Sequence, residues 1–408
     1  AFVLLVFGYS LLSKRLEGTV ISLPVVFALA GIVLVVVAPG PIKREVGGTG
    51  WLVLAELTYA IVLLNGATRV NLRVLRGEMR LPGRLLFIGL PLTILFGMLA
   101  AVLVFPELSL WEAGVLACLL ASTDTGLAER VVSSPRVPAS IREALNAESG
   151  LSDGLVVPLL MLFVSLIKAD AAGLSIPFLR AGAQQIGFGI PLGAAIGLGG
   201  GWLLGQARRR GWASAPFQQS AMIALAPLCL IFAVAINTSP FITAFVAGVS
   251  LQLGFRDASD GIVEFSENEG RLLNMFVFFL FGTSAGAALG EIRLAPVAYA
   301  ILSLTLVRLL PVAISMIGTR LSAASVVFMG WFGPRGLASI VLGLVVSEQQ
   351  VQTSGSSLVR IGLVATVLLS ILAHGLSAAP GIKLYAQQVA RLGPDAPEFG
   401  TATRIPVV

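Results

Sequence analysis

This chain is short of charge and holds no polar stretch long enough for a soluble domain. Charged residues make up 12% of its 408 residues and apolar ones 56%, against about 25% and 45–50% in ordinary soluble domains. Apolar runs of about 18 residues or more recur from end to end, the length that crosses a bilayer as a helix. The longest polar segments, 254–271 and the tail after Gly381, fall well below the roughly 50 residues of a small domain. These shortages exclude a soluble catalytic domain and describe an all-α polytopic membrane protein rather than an enzyme.

Cysteine is equally scarce. Cys118 and Cys229 both lie inside apolar stretches, which excludes a disulfide framework, and neither has metal-ligand spacing. No cofactor is expected. The formal charge of +6 does not mark a nucleic-acid partner, because the basic residues fall in loops between spans, where membrane topology explains them. The chain begins on Ala1 inside an apolar run, so the native start is expected to be missing or processed, and no signal-peptide pattern is evident.

What is present is a series of about thirteen apolar helices, read near 1–13, 20–38, 50–66, 84–104, 112–133, 138–167, 184–204, 216–237, 240–254, 271–288, 294–318, 324–347 and 357–377. The first and ninth are short for a full span. Loops on one side, with the tail, hold nineteen of the 27 basic residues, and loops on the other side hold six. That bias places the richer side in the cytoplasm, with the N-terminus outside and the C-terminus inside the cell membrane. A missed helix would have mixed the two groups.

Thirteen spans divide as six, one and six, which permits two inverted repeats. Helix 5 carries Thr123-Asp124-Thr125-Gly126 near its middle. Its counterpart, helix 12, carries Gly333-Pro334-Arg335-Gly336. Pro334 lacks an amide hydrogen and the glycines relax the backbone, so helix 12 is expected to break there. Paired interrupted segments at matching positions point to a transporter's binding site.

Five charges lie within apolar helix sequence: Asp124, Glu148, Asp153, Arg308 and Arg335. A charge at membrane depth costs several kcal/mol, about 2.5–3.5 on insertion scales, and persists where it pairs, faces a cavity or binds an ion. In helix 6, Glu148 and Ser152 share one face, while Ser149 and Asp153 share a face about 100° further round. One face can serve a structural partner and the other a ligand. Asp124 and Asp153, with the hydroxyls of Thr123 and Ser149, offer the oxygen ligands that hard cations prefer. A carboxylate there holds a proton or a sodium ion but not comfortably both, which is the minimal chemistry of exchange. Glu148 reads instead as half of a helix-to-helix salt bridge.

These residues carry a resemblance. Thr123-Asp124, the segment Glu148-Ser149-Gly150-Leu151-Ser152-Asp153-Gly154, Arg308, the segment Gly333-Pro334-Arg335-Gly336-Leu337-Ala338, and His374-Gly375-Leu376 together resemble the monovalent cation/proton antiporters of the NhaP-like branch, related to the sodium/proton exchangers. The match covers nearly the whole chain. The resemblance implies a homodimer in membrane lipid whose mobile core domain carries Na⁺ or K⁺ across in exchange for H⁺ by an elevator-type movement. The implied division is dimerisation helices 1–3 and core helix 4 in 1–104, core helices 5 and 6 in 105–170, linker helix 7 and dimerisation helices 8–10 in 171–288, core helices 11–13 in 289–380, and a cytoplasmic tail in 381–408. Asp153 is then the exchanged proton and cation site, Asp124 lies at the crossing of two unwound helices near mid-membrane, and Glu148 pairs with Arg308. Two positions depart from the pattern. Ser152 stands where members usually have Asn, and is too short to bridge to Glu148 and Arg308. Asn65 stands where many have an acid, and offers an oxygen without charge.

Other polar residues read more plainly. Glu56 suits an interfacial position. His374, the single histidine, suits hydrogen-bonded packing better than pH sensing. Arg208-Arg209-Arg210 mark the cytoplasmic face and suit anionic lipid. Asp257, Asp260, Glu264, Glu267 and Glu269 read as a solvated acidic loop, and the small residues of 187–205 suit close helix packing. Rival functions fit less well. An intramembrane aspartyl protease needs two aspartates sharing a proton, and a channel needs a repeated pore loop or a ring of charges. A transport-inactive regulatory protein on the same scaffold stays open, and flux in proteoliposomes separates it from a transporter.

Overall fold

A computed structural model describes residues 1–16, 22–37, 49–69, 80–171, 176–255, 260–348, 355–393 and 395–399. Every secondary-structure element among its described residues is a helix, and each predicted span holds helix. In chain order these are α1 (Phe2–Leu16), α2 (Leu23–Val37), α3 (Thr49–Arg69), α4 (Arg80–Val104, with a π-helical turn at Leu85–Gly89), and the half-helices α5a (Leu110–Leu119) and α5b (Thr125–Val132). Then follow α6 (Ala139–Ala171), α7 (Ile176–Arg209), α8 (Ala215–Ala235), α9 (Pro240–Gly254) and α10 (Asp260–Ala288). The last are α11 (Leu294–Ser315, interrupted at Thr305), the half-helices α12a (Ala323–Trp331) and α12b (Leu337–Glu348), and α13 (Ser356–Val389).

Among the described residues, seven helices are long and apolar enough to cross a membrane alone. The halves of helices 5 and 12 fall short because each is broken, and α9 is short as expected, with 15 residues. Two expectations change. Segment 254–271 is not a loop throughout: helix begins at Asp260, because a polar sequence can still be a helical extension in water beyond the apolar span. The side chains of Asp257, Asp260, Glu264, Glu267 and Glu269 lie outside the described residues. Helix 13 likewise continues to Val389, twelve residues beyond its expected end.

α7 lies along α9, which also packs on α3 and α8, while α2 lies along α10. The α7–α9 contact is set by small residues four apart: a Cβ on Gly193, Gly197 or Gly201 would meet the α9 backbone at Thr243, Ala247 or Leu251. Without a hydrophobic drive between helices in lipid, such close backbone approach supplies the packing, as the sequence predicts. Around the breaks, α5a packs on α4, α6, α12b and α13, and α12a packs on α11 and α13, while α6 also packs on α3, α7 and α9. The start of α5a is fixed by a capping box, in which Ser109 Oγ accepts from Glu112 N–H and Glu112 Oε2 accepts from Ser109 N–H at 2.7 Å. Glu112 Oε1 also accepts from Gly355 N–H at 3.0 Å, so one buried carboxylate ties α5a to the start of α13. Both cysteines are free and buried.

Candidate functional site

Helix 5 unwinds after Leu119 and resumes at Thr125; helix 12 unwinds after Trp331 and resumes at Leu337. Broken helices leave backbone groups without intrahelical partners, and buried ones must be satisfied some other way. Here the two breaks satisfy each other. Asp124 N–H donates to the Pro334 carbonyl at 2.9 Å. The Asp124 carboxylate accepts Gly126 N–H at Oδ1, 2.7 Å, and Leu337 N–H at Oδ2, 2.6 Å. It therefore caps α5b and α12b together, where the partial positive charge of both helix ends favours an anion. Gly336 has to be glycine for this contact, since a Cβ there would collide with the Asp124 carboxylate.

Arg335 does the opposite at the other end. Its Nη1 donates to the carbonyls of Ala121 and Ser122, at 2.6 and 2.9 Å, where α5a finishes. A cation at a helix C-terminus complements the dipole. Arg335 is fully buried, and its backbone N–H donates to Ser370 Oγ of α13 at 2.7 Å. His374 closes the end of α12a, with Nε2 2.8 Å from the Trp331 carbonyl and Nδ1 2.9 Å from the Ser370 carbonyl. With 1% of its surface exposed, it has the packing role expected of it.

The Glu148–Arg308 pairing implied by the resemblance is present. Arg308 Nη1 and Nη2 donate to Glu148 Oε1 and Oε2 at 2.5 and 2.7 Å, a fork-to-fork contact between buried side chains. Gly333 leaves room for the guanidinium, which a Cβ there would strike. Ser152 does not join this pair. Its Oγ accepts Thr123 N–H at 3.4 Å and donates to the Ser149 carbonyl at 3.3 Å, so it ties the helix 5 break to α6. Thr123 and Ser149 meet directly, their hydroxyls 2.9 Å apart.

Asp153 is placed differently from the other acids. Its Oδ1 is buried with no hydrogen-bond partner. The Ser122 hydroxyl stands beside the carboxyl group and Asp124 is within electrostatic reach, yet Ser122 Oγ is also unpartnered. A buried polar atom left unsatisfied costs about 1–3 kcal/mol, more for a charged group. Thus Asp124, Thr123, Ser149 and Asp153 gather at one place, with Glu148 and Arg308 held apart from them by their own pairing. Asn65 is buried on α3, beside the approach of Gly66 to Gly150 of α6, but makes no hydrogen bond to either aspartate.

Sequence reasoning assigned no partner to Arg335 and passed over Ser122, Ser370 and Asn274. Asn274 had a signal: it is a lone amide within the apolar run Leu272–Phe281.

Comparison with known proteins bears on the family and the fold. The family model described as the transmembrane sodium/hydrogen exchanger matches residues 1–383. The K(+)/H(+) antiporter NhaP2 of Shewanella sp. (strain ANA-3) is 29% identical over 187 residues, covering 45% of this chain and 31% of that protein. The NhaP2 of Shewanella oneidensis is 28% identical over 197 residues, covering 48% and 33%. The match thus spans about a third of the length of these relatives. The solved structure of the sodium proton antiporter MjNhaP1 from Methanocaldococcus jannaschii at pH 8 shares the fold, with a TM-score of 0.73 at 20% identity over 92% of this chain and 97% of that one.

Proposed function

The chain belongs to the transmembrane sodium/hydrogen exchanger family, and we propose that it exchanges protons for a monovalent cation, Na⁺ or K⁺, with Asp153 as the carrier site. The observation that carries this reading is the buried, unpartnered Asp153 Oδ1 beside a crossing whose other two acids are engaged. Asp124 is held by two backbone amides, Glu148 by Arg308, and Arg335 by two carbonyls. The Ser122 hydroxyl and the Asp124 carboxylate near it are oxygen groups, which an alkali cation prefers by extension from the hard divalent ions. Asp153 releases a proton and takes a cation on one side, then releases the cation and takes a proton on the other. Asp124, Ser122, Thr123 and Ser149 serve as neighbouring ligands.

Movement of the site follows the division of the helices. Helices 4–6 and 11–13 form the proposed core, which slides in an elevator-like motion against helices 1–3 and 8–10, with helix 7 as linker and two copies joined as a dimer in the cell membrane. One carrier carboxylate alternating between one proton and one monovalent cation makes the exchange electroneutral. Purified protein in proteoliposomes with an internal pH dye tests the reading, titrated with Na⁺, Li⁺ and K⁺. Cation-dependent proton movement supports it. No movement for any of the three would point instead to a regulatory protein on this scaffold.

A further inference from the structure

Tyr59, on α3, carries a buried hydroxyl that the proposed exchange leaves unused. Its side chain is fully buried, and among the described residues its hydroxyl has no hydrogen-bond partner. Two contacts on α9 place it. The Tyr59 ring packs on Phe241, with centroids 5.3 Å apart. Phe245, one turn further along the same face of α9, lies over Gly154, where a Cβ would strike its ring. Tyr59 and the residue after Asp153 therefore pack along one side of α9. α3 also meets α6 directly: Gly66, two turns along the Tyr59 face, comes against Gly150, one turn before Gly154.

A buried phenol ordinarily finds a partner for its hydroxyl, and is unfavourable without one. Asp153 is within electrostatic reach of the Tyr59 oxygen, and Asp153 Oδ1 is itself buried without a partner, so the two are not bonded to each other. Ser122 Oγ, beside Asp153, is a third such atom. Oxygens from α3, the helix 5 break and α6 thus approach one another, and among the described residues none of the three has a partner. A proton needs only the carboxylate. A hard cation needs several oxygens, and here the carboxylate balances its charge while the two neutral hydroxyls extend its shell.

We propose that the Tyr59 hydroxyl is a ligand of the cation that Asp153 exchanges for a proton, contributing a neutral oxygen from α3 and setting cation affinity. The inference rests on the exchange proposed above and deepens it by naming a ligand outside the broken helices and α6. The ring is held in place by its packing on Phe241, so presenting the hydroxyl costs little side-chain ordering on binding.

Tyr59→Phe removes the hydroxyl and keeps the ring. The full chain and this variant are compared in proteoliposomes by Na⁺ and K⁺ titration, and in detergent by thermal melts with and without Na⁺. Loss of the ligand raises KM for the cation about fivefold, which is about 1 kcal/mol of binding, with Vmax nearly unchanged, and shrinks the Na⁺-induced rise in Tm. Without cation the variant melts no lower than the wild type, since the hydroxyl has no protein partner to lose. An active wild-type protein beside a Y59F variant with unchanged KM would overturn this inference alone. A Y59F protein that fails to fold, or that melts lower without cation and loses Vmax at constant KM, would overturn it as well, by showing a structural role. Absence of cation-driven proton flux in the wild-type protein would instead overturn the exchange on which it rests.

Discussion

Glu148 of α6 and Arg308 of α11, 160 residues apart in the chain, meet as a two-pronged ion pair at 2.5 and 2.7 Å with both side chains buried. The pair neutralises two buried charges, which under the proposed exchange leaves neither to carry an ion. Removing one partner strands the other, which costs about 3–5 kcal/mol in buried pairs of soluble proteins. Glu148→Ala and Arg308→Ala are each expected to lower the melting temperature in detergent, and the double variant to lose less than the sum. Strict additivity in that cycle would show that the two do not interact.

Asp153→Asn is expected to abolish exchange while leaving the protein folded. The amide matches the acid in shape, and Asp153 Oδ1 has no protein partner to lose. A monodisperse variant with near wild-type Tm and substantial residual proton flux would remove Asp153 from its carrier role.

Asp124→Asn should behave differently, because both oxygens of Asp124 accept backbone amides. An amide nitrogen cannot accept, so the Gly126 or Leu337 N–H loses its partner, at about 1–3 kcal/mol. The expected result is loss of stability as well as of transport. Gly336→Ala, whose Cβ would enter the same carboxylate, is expected to show the same double loss. Thermal melts of the two variants in parallel with flux would check this, and unchanged stability in both would contradict it.

Electroneutrality has its own measurement. With Glu148 neutralised by Arg308 and one carrier acid, an imposed membrane potential should leave the exchange rate unaltered. A reproducible current on solid-supported membranes, reversing with the cation gradient, would instead require a second titrating group.

The tail supplies a pH dependence away from the membrane. Glu398 is 1% exposed. Its carboxylate accepts Ser322 N–H at 2.8 Å and Ser325 Oγ–H at 2.7 Å, and its carbonyl accepts Ser140 Oγ–H at 2.7 Å. Burial alone would raise its pKa, but the hydrogen bonds from Ser322 and Ser325 outweigh it and hold the group below its ordinary value. A carboxylate depressed on folding stabilises the docked tail above its unfolded pKa, and that stabilisation fades as pH falls through the folded pKa. Hydrogen exchange at the Ser322 amide is therefore expected to be slow at neutral pH and to quicken in acid, with Glu398→Ala, which has no acceptor, already fast at neutral pH. Equal protection in both proteins would show that the tail is held by other contacts.

Much of this protein is legible in one dimension, and the reason is the bilayer. Lipid forbids unsatisfied backbone, so apolar length alone identifies helices, and a Pro334 flanked by glycines announces a break because no neighbour can restore its missing amide hydrogen. The isolated charges Asp124, Glu148, Asp153, Arg308 and Arg335 stand out for the same reason. The boundary of α10 at Asp260 and that of α13 at Val389 escaped this reasoning because those turns leave the apolar span, where composition no longer separates helix from loop.

What each charge does was decided only by the tertiary structure. Asp124 and Asp153 look alike in sequence, yet one receives two helix N-termini and the other keeps a buried oxygen free of protein donors. Arg308 and Arg335 are both buried arginines, but one meets a carboxylate and the other the carbonyl end of α5a. Ser152 serves the Thr123 backbone rather than the ion pair, and the Asn274 amide nitrogen of α10 stands beside Gly126 at the start of α5b. Hydrogen bonding is short-ranged and directional, so a side chain's partner depends on which helices cross and at what angle. Helix spacing along the chain carries no record of that.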